Sequence, residues 1–279
     1  MKQISGLEPA SNLRFTLIMI AASALLLLGL FSSAQAQRSR QSTPGKPSVP
    51  PVSNKTTDVE QLFESARTAA EQDRFDVAIR IYNQIISLSA SDHKRAALAN
   101  VGIGNVCMLQ RKFENAVIAY GRAVRLDGSD PNAQNNLGEA LGELKQYRRA
   151  LEAFNKAAML DPRLSKALYN QAVTYDRMGN FKYSEFVFRN LIKAQPAYAL
   201  AYDGLAVTLS KAGRPKEAIA FHDKAIALDP KEASYYYNLA ISYLIQGNTA
   251  KAIEQQEKLK TLDASVADRL ASVIVKRQL

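Results

Sequence analysis

The chain has 279 residues, 47% of them hydrophobic, enough for one large folded body. It holds no tryptophan and a single cysteine, Cys107, which excludes an internal disulfide and any cysteine-based zinc site. The formal charge is +10, but Lys2, Arg14, Arg38, Arg40, Lys46 and Lys55 stand against Glu8 alone in residues 1–57. The remaining excess is spread over segments of mixed sign, without the basic stripe and interleaved aromatics of a nucleic-acid groove.

The N-terminal segment reads as an export signal. Lys2 and Arg14 precede an uncharged run from Phe15 to Phe31, and Ala34-x-Ala36 fits the small-residue rule for signal peptidase. Residues 1–36 are therefore expected to be a signal peptide, with Gln37 as the first mature residue and a periplasmic or secreted product. The alternative is an uncleaved membrane anchor, since the apolar run is about as short as a bilayer-spanning helix can be. No cysteine closes the leader and no twin arginine opens it, which excludes a lipoprotein and points to unfolded export. Residues 37–57 are basic and rich in Pro and Ser, so they are expected to form a disordered linker.

From 58 to 279 the chain keeps a ruler. Pro162, Pro196 and Pro230 fall 34 residues apart, each ending a similar phrase (LDP, AQP, LDP). A period of this length with helical patterning predicts stacked helix–turn–helix units. Units start at 97, 131, 165, 199 and 233, and one more lies near 59–92. Their eighth residues are Gly104, Gly138, Ala172, Ala206 and Ala240, and their twentieth are Ala116, Ala150, Ser184, Ala218 and Ala252. Small side chains at both places let two helices cross closely. The twenty-fourth residues are Tyr120, Phe154, Phe188, His222 and Gln256, groups large enough to fill the space before the next unit. The step from 59 to 97 is four residues too long, and the excess is assigned to the connection around Ser89–Asp92, with His93 in it. Residues 265–277 keep Val266, Leu270, Val273 and Ile274 on one face, as a capping helix would. Cys107 lies on an apolar helical face and reads as a buried hydrophobe.

The pattern resembles the tetratricopeptide repeat (TPR) family, and residues 131–164 meet its signature best. The resemblance covers roughly 59–277. It implies an all-α, right-handed solenoid of about six units, and a scaffold that binds proteins or peptides rather than a catalyst. In that family the first helix of each unit lines the concave face. Asn136, Asn170 and Asn238, at the sixth position, are then similar to an incomplete form of the asparagine ladder in the superhelix of O-GlcNAc transferase. A side-chain amide both donates and accepts, so it can pair with the backbone of an extended peptide. Asn105, Asn136 and Lys166 also match three of the five positions of the two-carboxylate clamp of TPR co-chaperones. Val101 and Asn170 stand where that clamp has basic groups, which weakens carboxylate capture. Tyr169 and Tyr237 precede ladder asparagines and are expected to offer rings to a ligand.

Catalytic motifs are missing. The two histidines, His93 and His222, are far apart in sequence, and no HExxH helix, phosphate loop or GxSxG elbow occurs. No constellation of nucleophile, base and orienter is expected, and Glu139, Glu143, Asp176 and Asp203 read as solvated groove charges. No enzyme activity, cofactor, small-molecule substrate or nucleic-acid partner is expected.

Overall fold

The computed structural model describes residues 59–278, and the expected signal peptide and linker lie outside them. The described chain is helical, with no strand. Thirteen helices follow in order: α1 Val59–Glu71, α2 Phe75–Leu88, α3 His93–Leu109, α4 Phe113–Leu126, α5 Pro131–Glu143, α6 Tyr147–Leu160 and α7 Ser165–Arg177. Then come α8 Phe181–Ala194, α9 Ala199–Lys211, α10 Pro215–Leu228, α11 Ala233–Gln246, α12 Thr249–Leu262 and α13 Ala264–Gln278. Odd and even helices pair as first and second members of six units, and α13 closes the row.

One turn is built six times. The fifteenth residue of each unit is left-handed: Asp73, Arg111, Lys145, Gly179, Gly213 and Gly247. The next amide reaches back five residues to close the first helix, as in Asn248 N–H to Tyr243 O at 2.8 Å and Lys112 N–H to Cys107 O at 2.8 Å. Glycine announces the later three turns in the sequence. The first three carry side chains in the same geometry, so they leave no such mark.

Small residues hold the pairs together. Ala66, Ala78, Ala116, Ala150, Ala172, Ala206, Ala218, Ala240 and Ala252 are all fully buried. Gly104 and Gly138 need the absence of a side chain, because a Cβ there would run into the rings of Tyr120 and Phe154. The twenty-fourth ring of one unit also reaches the next. A Cβ on Gly102 would strike Tyr82, and one on Gly204 would strike Phe188. The ring thus meets position eight of its own unit in units two and three, and position six of the successor from units one and four.

The extra length near residue 90 is not a longer loop. Ser89–Asp92 spans four residues, like the later connections, whereas α3 has 17 residues against 13 in α1, α5, α7 and α9. The insertion is an added helical turn, and His93 belongs to α3 rather than to the connection. Asp92 caps it by accepting the Arg95 amide at 3.0 Å.

First helices of successive units touch, as α5 does α7, α7 does α9 and α9 does α11, while successive second helices approach less closely. A row that is crowded along its first helices must bend toward them, so they line the inner side. At the C-terminal end, α13 lays Ala267, Leu270 and Ile274 against α11 and α12 and buries all three. Cys107 is buried, and burial pushes its thiol up, with Lys112 opposing. It is packing, not chemistry.

Candidate functional site

The inner face is built from positions two, six, nine, twelve and thirteen of the first helices, and polar pairs bridge successive units there. Lys166 Nζ lies 2.8 Å from Glu139 Oε1, and Arg177 Nη1 lies 3.5 Å from Glu143 Oε1. Lys211 pairs with Asp176 in the same manner one unit further on. These carboxylates are not the solvated charges the sequence suggested. Asp176 and Asp203 are 8% and 4% exposed, and every one of the four has a partner from another helix.

The asparagines are drawn into the same stitching. Asn170 Nδ2 donates to Glu139 Oε1 at 2.7 Å and to Asn135 Oδ1 at 3.0 Å, both on the preceding unit. Asn238 Nδ2 donates to Asp203 Oδ2 at 2.9 Å, again one unit back. Asn170 thus spends both N–H donors within the protein and Asn238 spends one, which corrects the expectation that these amides await a peptide backbone. Position six faces the previous unit's ring, so its side chain must meet that neighbour first. Asn136 is half-buried like the other two but differs in its contacts: its Oδ1 accepts a long bond, 3.5 Å, from Asn135 Nδ2 of its own helix. Asn105 is exposed, and its Oδ1 accepts from the Tyr120 hydroxyl at 2.7 Å.

The two tyrosines are also corrected. Tyr169 packs edge-on against Phe188 at 5.6 Å and Tyr198 at 6.3 Å between ring centres. Burial pushes its phenol well above the ordinary range, with Asp203 adding to the shift. Tyr237 is 5% exposed and lies beneath the cap helix, with the Arg269 guanidinium 5.9 Å from its ring centre. Position five turns toward the twenty-fourth residue of its own unit, as Phe63 does toward Tyr82, Tyr169 toward Phe188, and Asp203 toward His222. It is a packing position, so neither ring is offered to a ligand as expected.

A polar network that the sequence did not reveal ties unit five to unit six. His222 Nδ1–H donates to Asp203 Oδ1 at 2.8 Å, and Ser242 Oγ lies 3.0 Å from His222 Nε2. Ser242 Oγ is also 2.7 Å from Ser210 Oγ. The expectation that no nucleophile, base and orienter come together is therefore wrong in geometry, since Ser242, His222 and Asp203 are connected in that order. His222, Ser242 and Asp203 are 0%, 1% and 4% exposed, so no substrate reaches the hydroxyl. No motif marks the three residues, because they come from positions five, ten and twenty-four of two units. Their meeting depends on the stacking.

What remains open on the inner face lies in units two and three and at the Lys166 edge of unit four. Leu98 and Leu109, at positions two and thirteen, are 54% and 58% exposed. Asn105 stands between them on α3, Asn136 follows on α5, and the Lys166 side chain on α7 is 49% exposed despite its ion pair. This stretch offers apolar contact and amide donors together, which suits an extended peptide. Among the described residues, no helix is long and apolar enough to cross a membrane and no acidic, His or Cys cluster suits a metal ion.

Models described as TPR repeat or tetratricopeptide repeat match residues 104–145, 131–164, 169–233 and 223–254, together more than half of the chain. The chain belongs to the tetratricopeptide repeat family. Its fold is similar to a TPR protein from Parabacteroides merdae, with a TM-score of 0.68 at 20% identity over 79% of this chain and 86% of that one. PilW, a type IV pilus biogenesis factor, gives a TM-score of 0.66 at 20% identity, over 79% of this chain and 100% of its own. MamA from Desulfovibrio magneticus RS-1 gives 0.52 at 26% identity, over 61% of this chain and 96% of its own. No curated protein matches the sequence. As a TPR protein the chain is a protein-interaction scaffold in the general sense, and its inner face is the surface to which that role draws attention.

Proposed function

We propose that this chain is an exported, non-catalytic scaffold of the bacterial cell envelope that holds a protein or extended peptide along the inner face of units two to four. One observation carries the reading. Asn105 and Asn136 keep exposed or half-exposed polar groups in the units that expose Leu98 and Leu109, and Lys166 stays half-exposed although it pairs with Glu139, while Asn170 and Asn238 are tied into inter-unit bonds. The buried state of the Ser242–His222–Asp203 chain supports a structural rather than a catalytic role for it. Export rests on the leader and its Ala34-x-Ala36 site. A second reading keeps the leader as an anchor and makes the array a structural or assembly subunit of a secretion or pilus complex. Fold likeness to PilW over its whole length favours that reading only at the level of architecture.

Affinity capture of the tagged full chain from envelope extract tests both. Gln37 as the first residue of the captured chain supports the cleaved, exported form, and an intact leader supports the anchored one. A variant with Asn105→Ala, Asn136→Ala and Lys166→Ala is expected to recover at least about tenfold less of a specific partner, as loss of one or two well-made polar contacts requires. Equal recovery by that variant removes the inner face of units two to four as the binding surface.

A further inference from the structure

The fourth position varies along the array (Leu62, Asn100, Gln134, Leu168, Tyr202 and Tyr236), and where it is Asn100, in unit two, a cavity is left. In units five and six the fourth residue is tyrosine. Tyr202 and Tyr236 extend to the preceding unit's closing proline, with each hydroxyl donating to a carbonyl, Pro196 O and Pro230 O, at 3.0 Å. Tyr202 shares a core cluster with Ile192 and Ile226, one from each flanking second helix, and so fills the space between them. In unit two the residue is Asn100. It is buried and turned back on its own helix, its Nδ2 donating to Ala96 O at 2.7 Å. A short side chain folded away cannot fill that gap.

A cleft of about 350 Å3 opens there, lined by Asn83 and Ile86 of α2, Asn100 of α3, and Arg122, Arg125 and Leu126 of α4. Ile86 is the counterpart in unit one of Ile192 in unit four, which confirms that the cleft occupies the place filled elsewhere by a tyrosine ring. The same junction carries the added turn of α3. The added turn and the cleft thus fall at one junction.

The lining has a definite chemistry. Arg122 and Arg125 are three residues apart on α4 and share a face. Both are exposed, and neither has a carboxylate partner among the described residues. Guanidinium groups grip carboxylates in a two-pronged manner. Asn83 and Asn100 add amides at the wall, while Ile86 and Leu126 supply an apolar surface. No aromatic ring lines the cleft, so stacking of a nucleic-acid base has no platform. Residues 37–57 of the chain carry four basic groups and no acid, which makes them a poor occupant.

We propose that the cleft between α2 and α4 is a second binding site, which takes an acidic side chain of a partner peptide together with an adjacent apolar residue. It lies among the second helices, away from the inner face, so it binds independently of the surface assigned above. It gives the scaffold a second handhold, and two weak contacts on one chain reinforce each other.

The test uses the full chain and a fluorescent hexapeptide of alternating Glu and Leu, followed by anisotropy at low salt. Replacing the Glu residues by Gln, or making Arg122→Gln with Arg125→Gln, is expected to weaken binding about tenfold or more, as loss of a charge-assisted contact implies. Removing two charges elsewhere, with Arg148→Gln and Lys156→Gln on α6, is expected to change it less than about twofold. Asn100→Tyr, which fills the cleft and leaves both arginines, is expected to abolish binding without lowering the melting temperature. Undiminished binding by Asn100→Tyr overturns the site. Equal loss in the two charge variants overturns it as well, because the attraction is then diffuse. If Asn100→Tyr fails to fold, the pair of charge variants decides. Displacement of the peptide by oligothymidylate or inorganic phosphate at concentrations below the peptide's own overturns the carboxylate assignment.

Discussion

Changing His222 to Ala is expected to lower the unfolding free energy by about 3–5 kcal/mol, a large part of the roughly 5–15 kcal/mol that holds a typical domain. The imidazole is fully buried, and its removal leaves the Asp203 carboxylate in the interior with the Asn238 amide still donating to it. It also withdraws one of the partners of Ser242 Oγ and opens a void at the seam between units five and six. Removing the whole polar pair should do much less harm. Asp203→Val with His222→Phe reproduces the combination of aliphatic and aromatic residues that Val101 and Tyr120 supply in unit two, and a well-packed apolar replacement of a buried pair is often close to neutral. Urea unfolding followed by circular dichroism checks both variants. If the single variant is no less stable than the double one, the buried charge is not what makes His222 matter.

The second large effect concerns the ring that locks unit four to unit five. Phe188 is 1% exposed and packs against Tyr169 and the backbone of Gly204. Phe188→Ala is expected to cost about 3–5 kcal/mol through lost burial and the cavity left behind. Gly204→Leu alone should cost about 1–3 kcal/mol or more, since even a Cβ there collides with the ring. The two together should cost distinctly less than the sum of the single losses, because each vacates or fills the space of the other. Calorimetric melting of the four proteins reads this out. Additive losses mean that the ring and the glycine do not share one contact.

The repeat itself was legible because its signal is redundant. The buried small residues at positions eight and twenty, the ring at twenty-four and the closing proline each mark the same 34-residue phase. The cap was legible for the same reason, since Leu270 and Ile274 keep one face. The added turn of α3 was not, because a phase shift says how many residues are extra but not which element absorbs them. Lys145 and Arg111 hid two of the turns, since nothing in a charged residue announces a positive φ.

The binding face was the least legible part. The family's geometry places position six on the inner side, and so the asparagines looked free. Whether an amide is free depends on its neighbour one unit back, which the sequence of a single unit does not contain. Asn170 meets Asn135 and Glu139, and Asn238 meets Asp203, whereas the preceding residues leave Asn136 less engaged. Tyr169 and Tyr237 failed for a related reason. A ring one step along a helix from an inner position has turned by about 100° and faces its own partner helix. His222 looked like a substituted packing ring, and it is one, but the space it fills also holds an acid and two hydroxyls.

The functional reading depends on a division of the inner face into an open stretch in units two and three, edged by Lys166, and a stitched stretch from the junction of units three and four onward. Site-specific photo-crosslinking in the exporting cell tests it most directly, with a benzophenone amino acid placed at Asn105, at Asn136 or at the exposed outer residue Phe186. The account predicts that Asn105 and Asn136 each yield an adduct with the same partner protein and that Phe186 yields none with it. Adducts to that partner from Phe186 alone would contradict it.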